Sequence, residues 1–97
     1  MNLRFTTRAT EDLRDIADYL QERNPAAALR VRAAILESLR HLTSFPRAGR
    51  RQAVEGVRKL VTRRYSYLVY YSVDEIAGEI AVLTIRHPAR EREYSDT

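Results

Sequence analysis

The clearest pattern in the chain is a pair of alternating runs toward its end. Residues 65–73 (YSYLVYYSV) put Tyr65, Tyr67, Val69, Tyr71 and Val73 on one face and Ser66, Leu68, Tyr70 and Ser72 on the other. A period of two, rich in aromatic and β-branched side chains, predicts a strand. After a turn over 74–78, residues 79–86 (EIAVLTIR) alternate again and should pair antiparallel with the first run. Pro88 stops that strand, and the charged stretch AREREYSDT follows.

The first half of the chain has a helical period instead. Leu13, Ile16, Ala17 and Leu20 fall at i, i+3, i+4 and i+7, one apolar stripe of a helix from about 8 to 23. Thr7 reads as its N-cap, with Glu11 and Asp12 in or near the first turn, where the helix dipole favours acids. The other face, with Glu11, Asp12, Asp15, Asp18 and Glu22, reads as solvated charge. Asn24-Pro25 ends this helix and starts another, since Asn caps well and Pro is tolerated at the first helical position. Ala28, Val31, Ile35, Leu39 and Leu42, with Leu36 beside them, carry it to about residue 45. So short a connection implies two antiparallel helices side by side.

Phe45-Pro46 ends the second helix and RAGRR reads as a loop. Short apolar runs at 3–5 and 57–61 complete the order β-α-α-β-β-β. The expected fold is α+β, a helical hairpin packed on one face of a small antiparallel sheet. Ile16, Leu20, Ile35, Leu39, Val69 and Leu83 are its expected core.

Size and composition narrow the chemistry. A length of 97 residues reads as one domain spanning 1–97. The absence of Cys excludes disulfides and Cys-based zinc sites, and two histidines, His41 and His87, are too few for a His-only metal site. No metal or cofactor is expected. No Walker loop, GxGxxG, HExxH or serine elbow occurs. No run approaches the ~18 apolar residues of a membrane span, so a soluble, cytoplasmic chain with no membrane partner is expected.

Charge adds a location. The net charge is +4, and all 17 basic residues but Lys59 are Arg. Residues 47–64 hold Arg47, Arg50, Arg51, Arg58, Lys59, Arg63 and Arg64 against the single acid Glu55. Such a patch can neutralise nucleic-acid phosphates or grip an acidic protein; alternatively its stems cover the sheet edge. Tyr65, Tyr67, Tyr70 and Tyr71 can stack bases or pack beneath helices. The end of the last strand gathers Arg86, His87, Arg90, Arg92 and Tyr94, types that can move protons and stabilise phosphoryl charge. A lone His among charged residues also occurs as a structural group.

Several stretches resemble the toxins of the RelE/ParE superfamily, from bacterial type II toxin–antitoxin pairs. FTTRATEDLRDIADYL looks like the first-helix signature of the ParE branch, LRHLTSFPRAGR its second-helix exit, and GVRKL its second strand. YSYLVYYSVD and IAVLTIRHPARER are similar to the closing hairpin shared by the superfamily. The resemblance spans nearly the whole chain and implies the fold derived above. RelE-type toxins cleave mRNA on the ribosome, whereas ParE-type toxins poison DNA gyrase and are not nucleases.

Carried over residue by residue, Arg58 takes the place of a basic residue of the RelE site and Arg90 matches its late catalytic Arg. Tyr94 lies near the terminal Tyr, two residues closer to that Arg. Leu60 stands where the nucleases tend to have a second Lys, and Tyr67 where they have an Arg. The resemblance therefore implies a ParE-like growth inhibitor with two partners, gyrase and a cognate antitoxin that holds it in a hetero-oligomer. Arg50, Arg51, Arg58, Arg63, Arg64, Arg90 and Arg92 would form the target or antitoxin surface. The alternative is a ribosome-dependent, metal-independent endoribonuclease acting on mRNA through Arg58, Arg86, His87, Arg90 and Tyr94. A third reading is a non-toxic basic interaction module.

Overall fold

The computed structural model describes residues 1–90, the side chain of Arg90 excepted. The element order is β1 (Asn2–Phe5), α1 (Thr7–Arg23), α2 (Pro25–Ser44), β2 (Arg50–Arg51), β3 (Val57–Val61), β4 (Leu68–Asp74) and β5 (Glu79–Arg86). A 3₁₀ turn over Pro88–Arg90 follows. The strands form one sheet in the order β1-β5-β4-β3-β2.

The α+β class holds, and three details of the sheet differ from expectation. First, β1 lies parallel to β5, so only the β2-to-β5 part is antiparallel. The helical hairpin is the crossover that carries the chain from β1 over the sheet, and parallel pairing needs such a connection. Second, the RAGRR loop contains β2, with Arg50 opposite Lys59 and Arg51 opposite Arg58. Two arginines have no apolar alternation to betray a strand. Third, β4 begins at Leu68, because Tyr65 (φ 65°) and Ser66 (φ 54°) are left-handed and turn the chain. Tyr65 therefore leaves the strand face assigned to it and is exposed.

Capping explains where α1 starts. The N-cap is Thr6, one residue before the expected Thr7: its extended backbone frees the hydroxyl to accept from the Ala9 N–H at 3.1 Å. The same hydroxyl donates to the Leu83 carbonyl at 2.8 Å. Glu11 and Asp12 consequently lie beyond the first turn, which holds no acid. Asp12 is not a solvated outer charge. Its Oδ2 accepts from the Ile85 N–H at 3.0 Å and from the Thr84 hydroxyl. β1 runs out at Phe5 opposite Val82, and these bonds to Leu83 and Ile85 occupy the β5 edge beyond it. At the other junction Asn24 caps α2 as expected, accepting from the Ala27 N–H at 3.1 Å.

The main core lies between the hairpin and the sheet: Val31, Ile35, Leu39 and Leu42 pack against Tyr67, Val69, Tyr71, Ile80, Val82 and Ile85. Ile35, Leu39 and Val69 are buried as the periodicity implies, with Ile16 and Leu20 half-buried against them. Leu83 is a correction. A bulge pairs Tyr70 with Thr84 but Tyr71 with Val82, leaving Leu83 unmatched. Alternation from Ile80 and Val82 points it to a second cluster, with Val57, Leu68 and Tyr70, on the face away from the helices, and the bulge after it returns Ile85 to the helix face.

Candidate functional site

The basic segment divides between two faces and two ends of the sheet. Arg50, Lys59 and Tyr70 are successive partners across the ladder, so they form a row on the face away from the helices. Arg86 joins that face, its guanidinium 5.4 Å from the centre of the Tyr70 ring. Arg51, Arg58 and Tyr71 form the next row on the opposite face. Arg63 and Arg64 are exposed in the β3–β4 turn, beyond the Val61 end of β3.

Much of the Arg58 row is committed to holding the chain together. The buried Tyr71 hydroxyl donates to the Pro46 carbonyl and accepts from the Gly49 N–H, both at 2.8 Å. Arg58 donates to the Gly49 carbonyl at 2.8 Å and to the Arg47 carbonyl at 3.3 Å. Burial pushes the Tyr71 phenol above its ordinary pKa, while the Gly49 N–H and the Arg58 charge pull it back. Gly49 is required by space: a β-carbon there would lie 2.7 Å from the Tyr71 ring and hydroxyl and 2.8 Å from the Lys59 carbonyl oxygen. Arg47 pairs with Glu75 across the mouth of an open concavity that Arg51 and Arg58 also line. Of these three arginines, Arg51 alone has no charge or carbonyl partner among the described residues. It is exposed, and Glu55 and Asp74 line the same concavity.

A second concavity lies where β5 ends. Asp15 and Tyr19 reach it from α1, one helical turn apart, above a floor of Ile16 and Leu20. Tyr67 and His87 close the other side, their rings edge to face with centroids 5.5 Å apart. The Ala89 N–H donates to His87 Nδ1 at 3.0 Å, so the neutral ring carries its proton on Nε2. Burial, then the neighbouring Tyr19, raises the Tyr67 phenol pKa. His87 and Tyr67 are candidates in the sequence and Asp15 is exposed, as its place in the charged row of α1 implies, but Tyr19 is not among those candidates. The i, i+4 spacing of Asp15 and Tyr19 was the available signal.

Of the residues considered for a nuclease, the three whose side chains are described, Arg58, Arg86 and His87, do not converge. Arg86 and His87 are sequence neighbours on opposite faces, as a strand end dictates. Arg58 lies opposite Tyr71, which pairs with Val82, and His87 is on the order of 13–16 Å further along β5 at ~3.3 Å per residue. Leu60 packs against the main core and Tyr67 is only 6% exposed, so neither position offers a cation. The Arg90 side chain, Arg92 and Tyr94 lie outside the described residues. Among the described residues no cluster of three or more His, Cys, Asp or Glu is placed to hold a metal, and no helix is long and apolar enough to cross a membrane.

A helical hairpin on a mixed five-stranded sheet, carrying an arginine-rich flank, defines the RelE/ParE class of toxins. The family model described as the ParE toxin of the type II toxin–antitoxin system parDE matches residues 3–92, and the chain belongs to that family. It is 32% identical over 85 residues to a Sinorhizobium fredii protein named "Putative toxin Y4kP", spanning 88% of this chain and 85% of that one. It is 34% identical over 86 residues to Toxin RelE2 of Caulobacter vibrioides, spanning 89% and 93%. Among solved structures, a chain of the chromosomal ParDE system from P. aeruginosa superposes with a TM-score of 0.76 at 31% identity, covering 90% of this chain and 95% of that one. The intact E. coli RelBE complex gives 0.63 at 18% identity, covering 94% and 98%, a likeness of fold alone. This is a toxin of a type II toxin–antitoxin system.

Proposed function

We propose that this toxin is a ParE-like inhibitor of DNA gyrase, acting by protein–protein contact, and that a cognate acidic antitoxin neutralises it by covering the basic β2–β3 flank. One observation carries the choice of target. Leu60 and Tyr67, the positions where resemblance to the nuclease branch calls for cations, are built into the apolar core. Removing a single transition-state donor costs a catalyst ~3 kcal/mol. Two missing donors, with Arg58 held on the Gly49 and Arg47 carbonyls, leave little electrostatic machinery for RNA cleavage.

The antitoxin follows from the same flank and from the toxin–antitoxin complexes in which the structural neighbours occur. A disordered acidic segment that folds on binding is the natural complement to such a surface.

Two measurements test the reading. Purified toxin should inhibit gyrase supercoiling, and its induction should trigger a DNA-damage response without new cuts in ribosome-bound mRNA. Co-expression of the antitoxin should restore growth and yield a co-purifying complex. Cuts made by the wild type and lost in His87→Ala or Arg90→Ala would overturn the gyrase assignment in favour of the ribonuclease.

A further inference from the structure

Unlike the concavity at the β2–β3 flank, the one beside His87 is lined by no described arginine. Its charged side chain is the carboxylate of Asp15, which makes no ion pair among the described residues. Glu11 and Asp18, four and three residues from it on the same helix, add negative potential around it, while Glu22 pairs with Arg23 at 3.8 Å. Tyr67 is 6% exposed, yet its hydroxyl takes no hydrogen bond from any described group. No buried side-chain polar atom is left unpaired, so that oxygen opens onto the concavity instead of being sealed in the core. A buried phenol is normally satisfied. This one is held ready by the main core on one side and by the His87 ring on the other.

The aromatic wall carries a cation on one of its rings. The Arg23 guanidinium already lies 3.7 Å from the centre of the Tyr19 ring, on one face of it. A planar cation entering from the concavity would meet what it needs: a carboxylate for its N–H groups, a phenol oxygen as second acceptor, and aromatic surface to stack on. His87 Nε2–H stands at the rim, able to donate to a main-chain carbonyl of the segment that brings the cation. An anion or phosphate would instead face Asp15.

We propose that this concavity receives an arginine side chain of the protein on which the toxin acts. The inference rests on the reading of action by protein contact. It makes recognition two-sided, with arginines on the β2–β3 flank reaching for acids and this concavity taking a base.

The test uses the full chain, with N-acetyl-arginine amide as probe and its neutral isostere N-acetyl-citrulline amide as control. The His87 ring resonances should shift saturably with the arginine probe, at a Kd of about millimolar, as suits a ligand of this size. Affinity should fall about tenfold for citrulline and in Asp15→Asn, as loss of a charge-assisted bond predicts, and less in Tyr67→Phe. Thermal melts of both variants should match the wild type. Equal binding of citrulline, a response to adenosine monophosphate in place of arginine, or no saturable shift overturns the proposal. Gyrase inhibition without an arginine response would remove this concavity and leave the target assignment standing. An arginine response without gyrase inhibition would support the concavity and remove gyrase as its occupant's source.

Discussion

Beneath the helices, β4 and β5 are held by apolar packing: Val69, Val82 and Ile80 are fully buried against Ile35, Leu39 and Leu42. Beyond the hairpin's edge, β2 and the loop before it have little apolar surface. There the chain is held by a polar knot in which Tyr71 ties Pro46 to Gly49 and Arg58 ties Gly49 to Arg47. The two regions meet in one residue, since the Tyr71 ring belongs to the main core and its hydroxyl to the knot. Apolar packing tolerates adjustment and is spread over many partners. A knot of fixed directions fails at a single atom, so the basic flank is the part most easily loosened without unfolding the whole.

The largest expected effect tests the apolar side. Leu39→Ala should cost ~2–5 kcal/mol in denaturant unfolding, because a 1%-exposed side chain between helix and sheet leaves a cavity. An unchanged midpoint would break the helix register on which the comparison stands. A smaller effect tests the knot. Gly49→Ala should cost about 1–3 kcal/mol through overpacking against the Tyr71 ring and the Lys59 backbone. Hydrogen exchange should speed up in residues 47–51 while α2 amides keep their protection. Uniform loosening of both regions would show that they are one cooperative unit.

The smallest effect separates the hydroxyl from the ring. Because burial raises the folded-state pKa of Tyr71 above the 10.0 of a free phenol, the folded chain keeps that proton where the unfolded chain releases it. The stability from this group is complete below pH ~10 and is lost as pH rises through the folded value. Tyr67 acts in the same sense. Thermal melts above pH ~10 should therefore fall less steeply in Tyr71→Phe than in the wild type. An identical slope would mean that the hydroxyl is solvated and the knot absent.

What the sequence determined by itself was whatever rests on local periodicity. Helical spacing of Leu13, Ile16 and Leu20, and of Val31, Ile35 and Leu39, set the two helices. Asn24-Pro25 set their junction, and alternation around Val69 set the surest strand. The resemblance to RelE/ParE toxins was equally legible, because it is carried by short runs in order. Tertiary structure alone decided the remainder. Whether β1 lies parallel to β5 depends on where a crossover delivers it, which no local pattern encodes. β2 is made by its partner β3, since Arg50 and Arg51 carry no alternation of their own. One bulge puts Leu83 and Thr84 on the same far face and Ile85 beneath the helices, since a slip of one residue in a period of two inverts every side chain after it. The same applies to the candidate sites. His87 and Tyr67 could be picked from the chain, but their meeting with Asp15 and Tyr19 brings together residues some fifty to seventy positions apart. Periodicity reports which face of its own element a residue occupies. Which other element that face meets is settled by packing the whole chain.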